Sequence, residues 1–170
     1  FLWFGTQGGL VRYDGYEWRV FRADPGDPST LAGNYVRALL PARDGRLWVG
    51  TFSGGLSVFD PRTETITRHG YGRVEGLAED RQGRIWIATS AGLDRLDPKT
   101  RHIEHFLPGA RVRGLLVDRR GTLGVGTRDG LQRWLGEGRG FARVTPELRF
   151  AGGFEDHVLD FRHSSRQRSI

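Results

Sequence analysis

The chain reads as an all-β fold, a β-propeller of about four four-stranded blades, on three observations. One short phrase is written four times: Leu2-Trp3-Phe4-Gly5-Thr6, Leu47-Trp48-Val49-Gly50-Thr51, Ile85-Trp86-Ile87-Ala88-Thr89 and, in altered form, Leu123-Gly124-Val125-Gly126-Thr127. Its threonines stand 45, 38 and 38 residues apart, a period of repeat architectures whose units cannot bury their apolar faces alone. Each period holds four short runs rich in Val, Ile, Leu and aromatics, separated by turn residues and without helical spacing. Four strands in roughly 40 residues is the arithmetic of a propeller blade.

The elements follow in order. In the second unit the runs are residues 36–40, 47–51, 56–59 and 66–69. The first carries Val36 and Leu39, repeated as Val74 and Leu77 and as Val112 and Leu115. Gly45, Gly83 and Gly121 precede the aromatic phrase and suit the positive φ of a tight hairpin turn. A second glycine, in Gly9-Leu10, Gly55-Leu56, Gly92-Leu93 and Gly130-Leu131, serves the next hairpin, and Asp14, Asp60 and Asp97 close the third strand. Gly5, Gly50, Ala88 and Gly126 leave the second strand without bulk where a neighbouring backbone or ring comes close. Trp3, Trp48 and Trp86 are expected between blades, each burying ~150–250 Å². Gly124 stands where the fourth tryptophan belongs, so that blade is expected to pack worst.

These features divide one propeller fragment, 1–170, into repeats at approximately 1–33, 34–71, 72–109 and 110–155, with 156–170 a partial strand. Residues 158–161 occupy the place of a first strand and are expected to pair with the first blade, closing a ring without open edges. The competing expectation is a piece of a longer propeller, able to self-associate through open terminal blades.

The combination resembles the two-component regulator propeller repeats in the sensor regions of bacterial hybrid histidine kinases and related diguanylate cyclases. The residues that carry it are the phrases at 2–6 and 47–51, Gly8-Gly9-Leu10 and Gly54-Gly55-Leu56, and Tyr13-Asp14-Gly15 with Trp18 and Phe21. Asp24-Pro25 with Asp27-Pro28, Asn34-Tyr35-Val36 and Asp80-Arg81-Gln82-Gly83-Arg84 complete it. The likeness runs from 1 to about 130; the chain departs from it at Ala42, where later repeats have Asp80 and Asp118, at Gly124, and in the tail 164–169. The resemblance implies a non-catalytic, periplasmic ligand-sensing or interaction domain of a membrane receptor. Its binding events would alter the packing of downstream receptor domains, with any kinase or cyclase output outside this chain.

Composition bounds the rest. With 170 residues and 37% apolar content the chain holds one domain with a real core, and no apolar run reaches the ~18 residues that span a bilayer, so no membrane contact is expected of this segment. It has no methionine and starts inside a repeat, as expected of a piece of a longer chain. The absence of cysteine excludes disulfides and thiolate metal sites. The net charge of +6 raises nucleic-acid binding, but the basic residues, all arginine except Lys99, are spread through every repeat. They read as solvated strand faces, the aromatics fall on core positions, and no nucleic-acid partner is expected.

Signals for chemistry are sparse, and neither a cofactor nor a metal site is expected. His102 and His105, three apart on a strand, face opposite sides, without a carboxylate in ligand spacing. Gly136-Glu137-Gly138-Arg139-Gly140 links two predicted strands and opens no helix, so it reads as a mobile hairpin and not a phosphate loop. Asp160, His163, Ser164 and Ser165 lack a nucleophile elbow. The insertion at residues 24–30, rich in Asp and Pro, reads as a stiff turn series.

In a propeller the loops before the innermost strand and between the second and third strands emerge on one face around the channel. Asn34, Tyr35, Arg73, Arg111 and His157 lie on the first kind of loop, and Gln7, Phe52, Ser90 and Arg128 on the second. Unlike the core positions they change between repeats, as a binding face grafted on a scaffold would. Arg73, Arg111, Arg128 and His157 favour an acidic or carbohydrate-like ligand. The alternatives are a propeller lyase, which needs a converging acid/base pair at the channel mouth, and a structural protein-interaction module.

Overall fold

Short apolar runs joined by tight turns call for antiparallel hairpins, and the computed structural model, which describes residues 1–144, consists of them. The first sheet contains β1 (Leu2–Thr6), β2 (Gly9–Tyr13) and β3 (Trp18–Phe21). The second contains β4 (Val36–Pro41), β5 (Leu47–Thr51), β6 (Leu56–Asp60) and β7 (Thr65–His69), in that order. The third contains β8 (Val74–Glu79), β9 (Ile85–Thr89), β10 (Leu93–Leu96) and β11 (Ile103–Phe106). The fourth contains β12 (Val112–Val117), β13 (Leu123–Thr127), β14 (Gly130–Trp134) and β15 (Phe141–Arg143). Each sheet is a propeller blade, with β4, β8 and β12 side by side as innermost strands. The described residues contain no helix, and the first blade shows three strands instead of four. The closing strand expected at 158–161 lies outside the described residues.

Three apolar clusters hold neighbouring blades together. Leu47 and Val49 turn toward the first blade, joining Leu10, Val36 and Phe59, while Trp48 between them turns toward the third, joining Val74, Ile85, Ile87 and Leu96. Trp86 repeats this toward the fourth blade with Val112, Leu123 and Val125. Trp48 and Trp86 are each 1% exposed, and Trp3 packs half-buried beside Phe21 and Phe59. The small residues of the second strands explain this fit. A Cβ on Gly5 would lie 2.6 Å from Val36 Cγ1, and one on Gly50 would strike Val74 in the same way. The close neighbour is thus the valine of the next innermost strand, and not the backbone or ring anticipated. The turn glycines Gly45, Gly83 and Gly121 adopt φ of 86°, 81° and 81°, as their hairpins require.

Gly124 does not leave a hole between blades. It falls on the face of the fourth sheet shared with exposed Leu116 and Leu131, opposite the face where Leu123, Val125 and Trp134 meet the third blade. The first sheet likewise presents Leu2, Phe4, Trp18 and Val20 on its outer face.

Many arginines that read as solvated surface instead tie blades together. In the first sheet Trp3, Arg12 and Arg19 form one cross-strand row, and Glu64 of the next blade pairs with both arginines at 2.7 and 2.5 Å. In the third, the row is Trp86, Arg95 and Glu104, and Arg95, 2% exposed, pairs with Glu104 and with Glu137 of the fourth blade. Its guanidinium also stacks over Trp86, Phe106 and Trp134 at 5.1–5.6 Å. On another edge Arg43 donates to the carbonyls of Asp80 and Arg81, and Arg81 donates to that of Arg119. The insertion is a stiff turn, as expected, because Arg68 donates to the carbonyls of Asp24, Asp27 and Thr30. The loop at residues 136–140 is anchored, not a free hairpin, since Glu137 accepts from both Arg95 and Arg84.

Two predictions follow from this packing. Replacing Trp48 by alanine is expected to lower unfolding free energy by ~3–5 kcal/mol in denaturant titrations. Hydrogen bonds from Arg95, opposed by slight burial and aided by Arg84, hold Glu137 below the ordinary carboxylate range. Its stabilising contribution is therefore full above the unfolded pKa and lost as pH falls through the lower folded one. Melting temperatures of wild type and Glu137→Gln should differ at pH 7, and the difference should shrink as pH falls below the unfolded carboxylate value of about 4.3 and vanish below the lower folded one.

Candidate functional site

Val36 and Leu39 enter the same cluster although they stand three residues apart, a spacing that a regular strand cannot put on one face. The strand resolves this with a β-bulge between Val36 and Ala38, and the same bulge recurs between Val74 and Gly76 and between Val112 and Gly114. The extra residues are Arg37, Glu75 and Arg113, each 38 positions from the last. Just before each innermost strand stand Tyr35, Arg73 and Arg111 at the same interval. Two rows of variable side chains therefore cap three adjacent strands of constant design.

The loops converge as expected. The Phe52 N–H donates to the Tyr35 carbonyl at 2.9 Å and the Arg128 N–H to the Arg111 carbonyl at 3.3 Å, so both kinds of loop share one face. Tyr35 stacks on Phe52 with centroids 5.4 Å apart, and the Arg73 guanidinium lies 4.0 Å over Phe52. Glu75, only 11% exposed, pairs with Arg37 at 2.8 Å and also with Arg73. Arg73, Glu75, Ser90, Arg111, Val112 and Arg113 line a cavity of about 310 Å³. Glu75 is already shared by two arginines. Arg111 and Arg113 have no ion pair among the described residues, which leaves the cavity with a positive excess.

The structure sorts the sequence candidates unevenly. Tyr35, Phe52, Arg73, Ser90 and Arg111 are brought together. Asn34 has a structural task, its Oδ1 accepting the Ala23 N–H at 2.7 Å. Gln7 is exposed in the β1–β2 turn, Arg128 joins through its backbone, and His157 lies outside the described residues. Arg73 is not free surface, because ring stacking and Glu75 hold it. Sequence reasoning missed Arg37, Glu75 and Arg113. The signal was the odd spacing of Val36 and Leu39, which calls for a bulge.

A second cavity, about 410 Å³, adjoins the first through Arg73 and Ser90 and is lined by Tyr71, Asp94 and His105 among others. His105 Nδ1 lies 2.7 Å from Asp94 Oδ1. The Tyr71 hydroxyl, buried without a hydrogen-bond partner among the described residues, has its pKa pushed up to about 12 by burial and then by Asp94. It stays protonated at neutral pH. Among the described residues no group of three or more His, Asp or Glu side chains is placed to hold a metal ion, and no helix is long and apolar enough to cross a membrane.

Solved structures share this fold. The extracellular domain of the hybrid two component system BT4673 from B. thetaiotaomicron superimposes with a TM-score of 0.73 at 22% identity, over 88% of this chain and 21% of that one. That of BT3049 from the same organism gives 0.69 at 22% identity over 84% and 21%. Virginiamycin B lyase from Staphylococcus aureus gives 0.66 at 15% identity over 86% and 52%. The chain thus spans about a fifth of the length of the first two. A search of curated proteins returns no match. Residues 30–53 and 70–91, which contain Asn34-Tyr35-Val36, the phrase at 47–51 and the bulge at Glu75, match the model of the two component regulator propeller family.

Proposed function

We propose that this chain is the ligand-sensing part of a bacterial two-component receptor, displayed outside the cytoplasmic membrane and without catalysis of its own. The supporting observation is the row of bulged residues. A single carboxylate, Glu75, is shared by Arg37 and Arg73, while Arg111 and Arg113 line the cavity beside it without an ion pair among the described residues. A small acidic ligand, an acidic sugar among them, supplies the missing negative charge, Ser90 offers a hydroxyl, and the Tyr35–Phe52 stack offers a flat apolar platform. Neighbouring blades of a longer propeller, or downstream receptor domains, cover the exposed apolar faces of the first and fourth sheets in this reading. Binding then changes how those parts pack.

The fold's occurrence in a lyase, together with the Asp94–His105 pair beside the protonated Tyr71 hydroxyl, favours one second reading, a propeller enzyme with a general base and acid in the adjoining cavity. Incubating the purified chain with acidic oligosaccharide fragments separates the two. The sensor predicts retention without chemical change, weakened at least tenfold, about 1.4 kcal/mol, in Arg111→Ala/Arg113→Ala with an unchanged melting temperature. Product formation lost in His105→Ala establishes the enzyme instead, and retention indifferent to both arginines contradicts the proposed site.

A further inference from the structure

The three crevices between blades are built on one plan and the middle one breaks it. Each is floored by the cross-strand row of one sheet and roofed by the turn between the last two strands of the next. Between the first and second blades the row Trp3, Arg12, Arg19 meets Glu64, whose one carboxylate bridges the two guanidinium groups. Between the third and fourth, Arg95 fills the space and meets Glu104 and Glu137. Between the second and third blades the row is Trp48, Val58 and Thr67, with a valine where the others carry arginine. The roof has changed too. Asp60-Pro61-Arg62-Thr63-Glu64 corresponds to Asp97-Pro98-Lys99-Thr100-Arg101, so Arg101 stands where the first crevice has Glu64. The two share the left-handed backbone of that turn position, φ 55° and 60°.

The space left by Val58 is a cavity of about 210 Å³, lined by Trp48, Asp60, Thr65, Thr67, His69 and Arg101 with Arg46 at its rim. Arg46 is paired with Asp44 at 2.6 Å and Asp60 lies 3.5 Å from Arg62, whereas Arg101 has no ion pair among the described residues. His69 lies against Trp48, and burial, then Arg101 and Arg46, push its imidazole below its ordinary value. It is therefore neutral at pH 7 and offers a hydrogen bond, while Arg101 offers charge. Thr65, Thr67 and Asp60 add hydroxyl and carboxylate groups suited to alcohols.

We propose that this middle crevice is a second binding site, for a carboxylate or phosphate group carried on a small hydroxylated molecule, with Arg101 as the anion anchor and His69, Thr65 and Thr67 as hydrogen-bonding partners. The bound anion takes the place that Glu64 and Glu137 fill in the neighbouring crevices. The site is separate from the cavity of Arg111 and Arg113 and shares no lining residue with it.

The test is a titration of the isotope-labelled chain with inorganic phosphate, gluconate and, as the uncharged control, glucose, read at the His69 imidazole by NMR, its signal assigned with His69→Gln. Phosphate or gluconate should shift the signal saturably and glucose should not. Phosphate alone assigns the source to phosphate esters, and gluconate alone to organic acids. Arg101→Glu, which copies the neighbouring crevice, should abolish the shift, and Arg101→Gln should weaken binding about tenfold or more, should the reversal disturb folding. Arg111→Ala/Arg113→Ala should leave it unchanged, which separates this site from the sensory cavity. No saturable shift with either anion, or the same shift in Arg101→Gln, overturns the proposal.

Discussion

A valine on one innermost strand rests against a residue without a side chain on the blade before it, and the arrangement of the whole molecule depends on that contact. Gly5 receives Val36 and Gly50 receives Val74, while Ala88 lies with Val112 in the cluster of the last two blades. Because the second strand offers no bulk there, the innermost strands approach closely enough for Trp48 and Trp86 to be covered. The valine must point sideways into the preceding blade, and Leu39, Leu77 or Leu115 must do so three residues later. The bulge between them is the geometric result. Of the bulged residues Glu75 and Arg113 line the cavity and Arg37 pairs with Glu75, so the packing that joins the blades also places the side chains of the proposed site.

Arginine has two uses here, divided by what surrounds it. Where it is buried against rings and carboxylates, as at Arg95, burial opposes its charge but Glu137 and Glu104 outweigh that cost and hold the guanidinium above its ordinary pKa. Such a residue joins blades; the planar group stacks on rings and bonds at its edge, which lysine cannot do. Where no carboxylate pairs with it among the described residues, as at Arg111, Arg113 and Arg101, the same side chain is the anion anchor proposed above. A repeat protein can shift from one use to the other by changing one residue at an equivalent position, as Glu64 and Arg101 illustrate.

The four-sheet division of the described residues, the strand order and the inter-blade tryptophans were legible in the sequence because they follow from period and from short apolar runs between turn residues, which every repeat restates. The loop face was legible in part. Tyr35, Phe52, Arg73, Ser90 and Arg111 could be placed on one face from their positions between strands, but the hydrogen bond that Asn34 accepts from the Ala23 N–H could not, because it spans the insertion that only the first repeat possesses. Arg37, Glu75 and Arg113 were hidden inside strands, since reading alternation alone assigns them no special direction. The fate of the arginines was not legible, because an ion pair such as Arg12–Glu64 joins residues 52 apart and depends on how blades meet.

The valine contact can be measured by a double-mutant cycle of Gly50→Ala and Val74→Ala followed by denaturant unfolding. A methyl group at position 50 collides with the Val74 side chain, and shortening that side chain leaves only its Cβ, 3.0 Å from the new atom. Each single substitution is expected to destabilise by ~1–3 kcal/mol, the first by overpacking and the second by leaving a cavity. The double variant should be more stable than the sum of the two by about 1 kcal/mol or more. Effects that add to within ~0.3–0.5 kcal/mol would show that the two residues do not constrain each other, and would contradict the account.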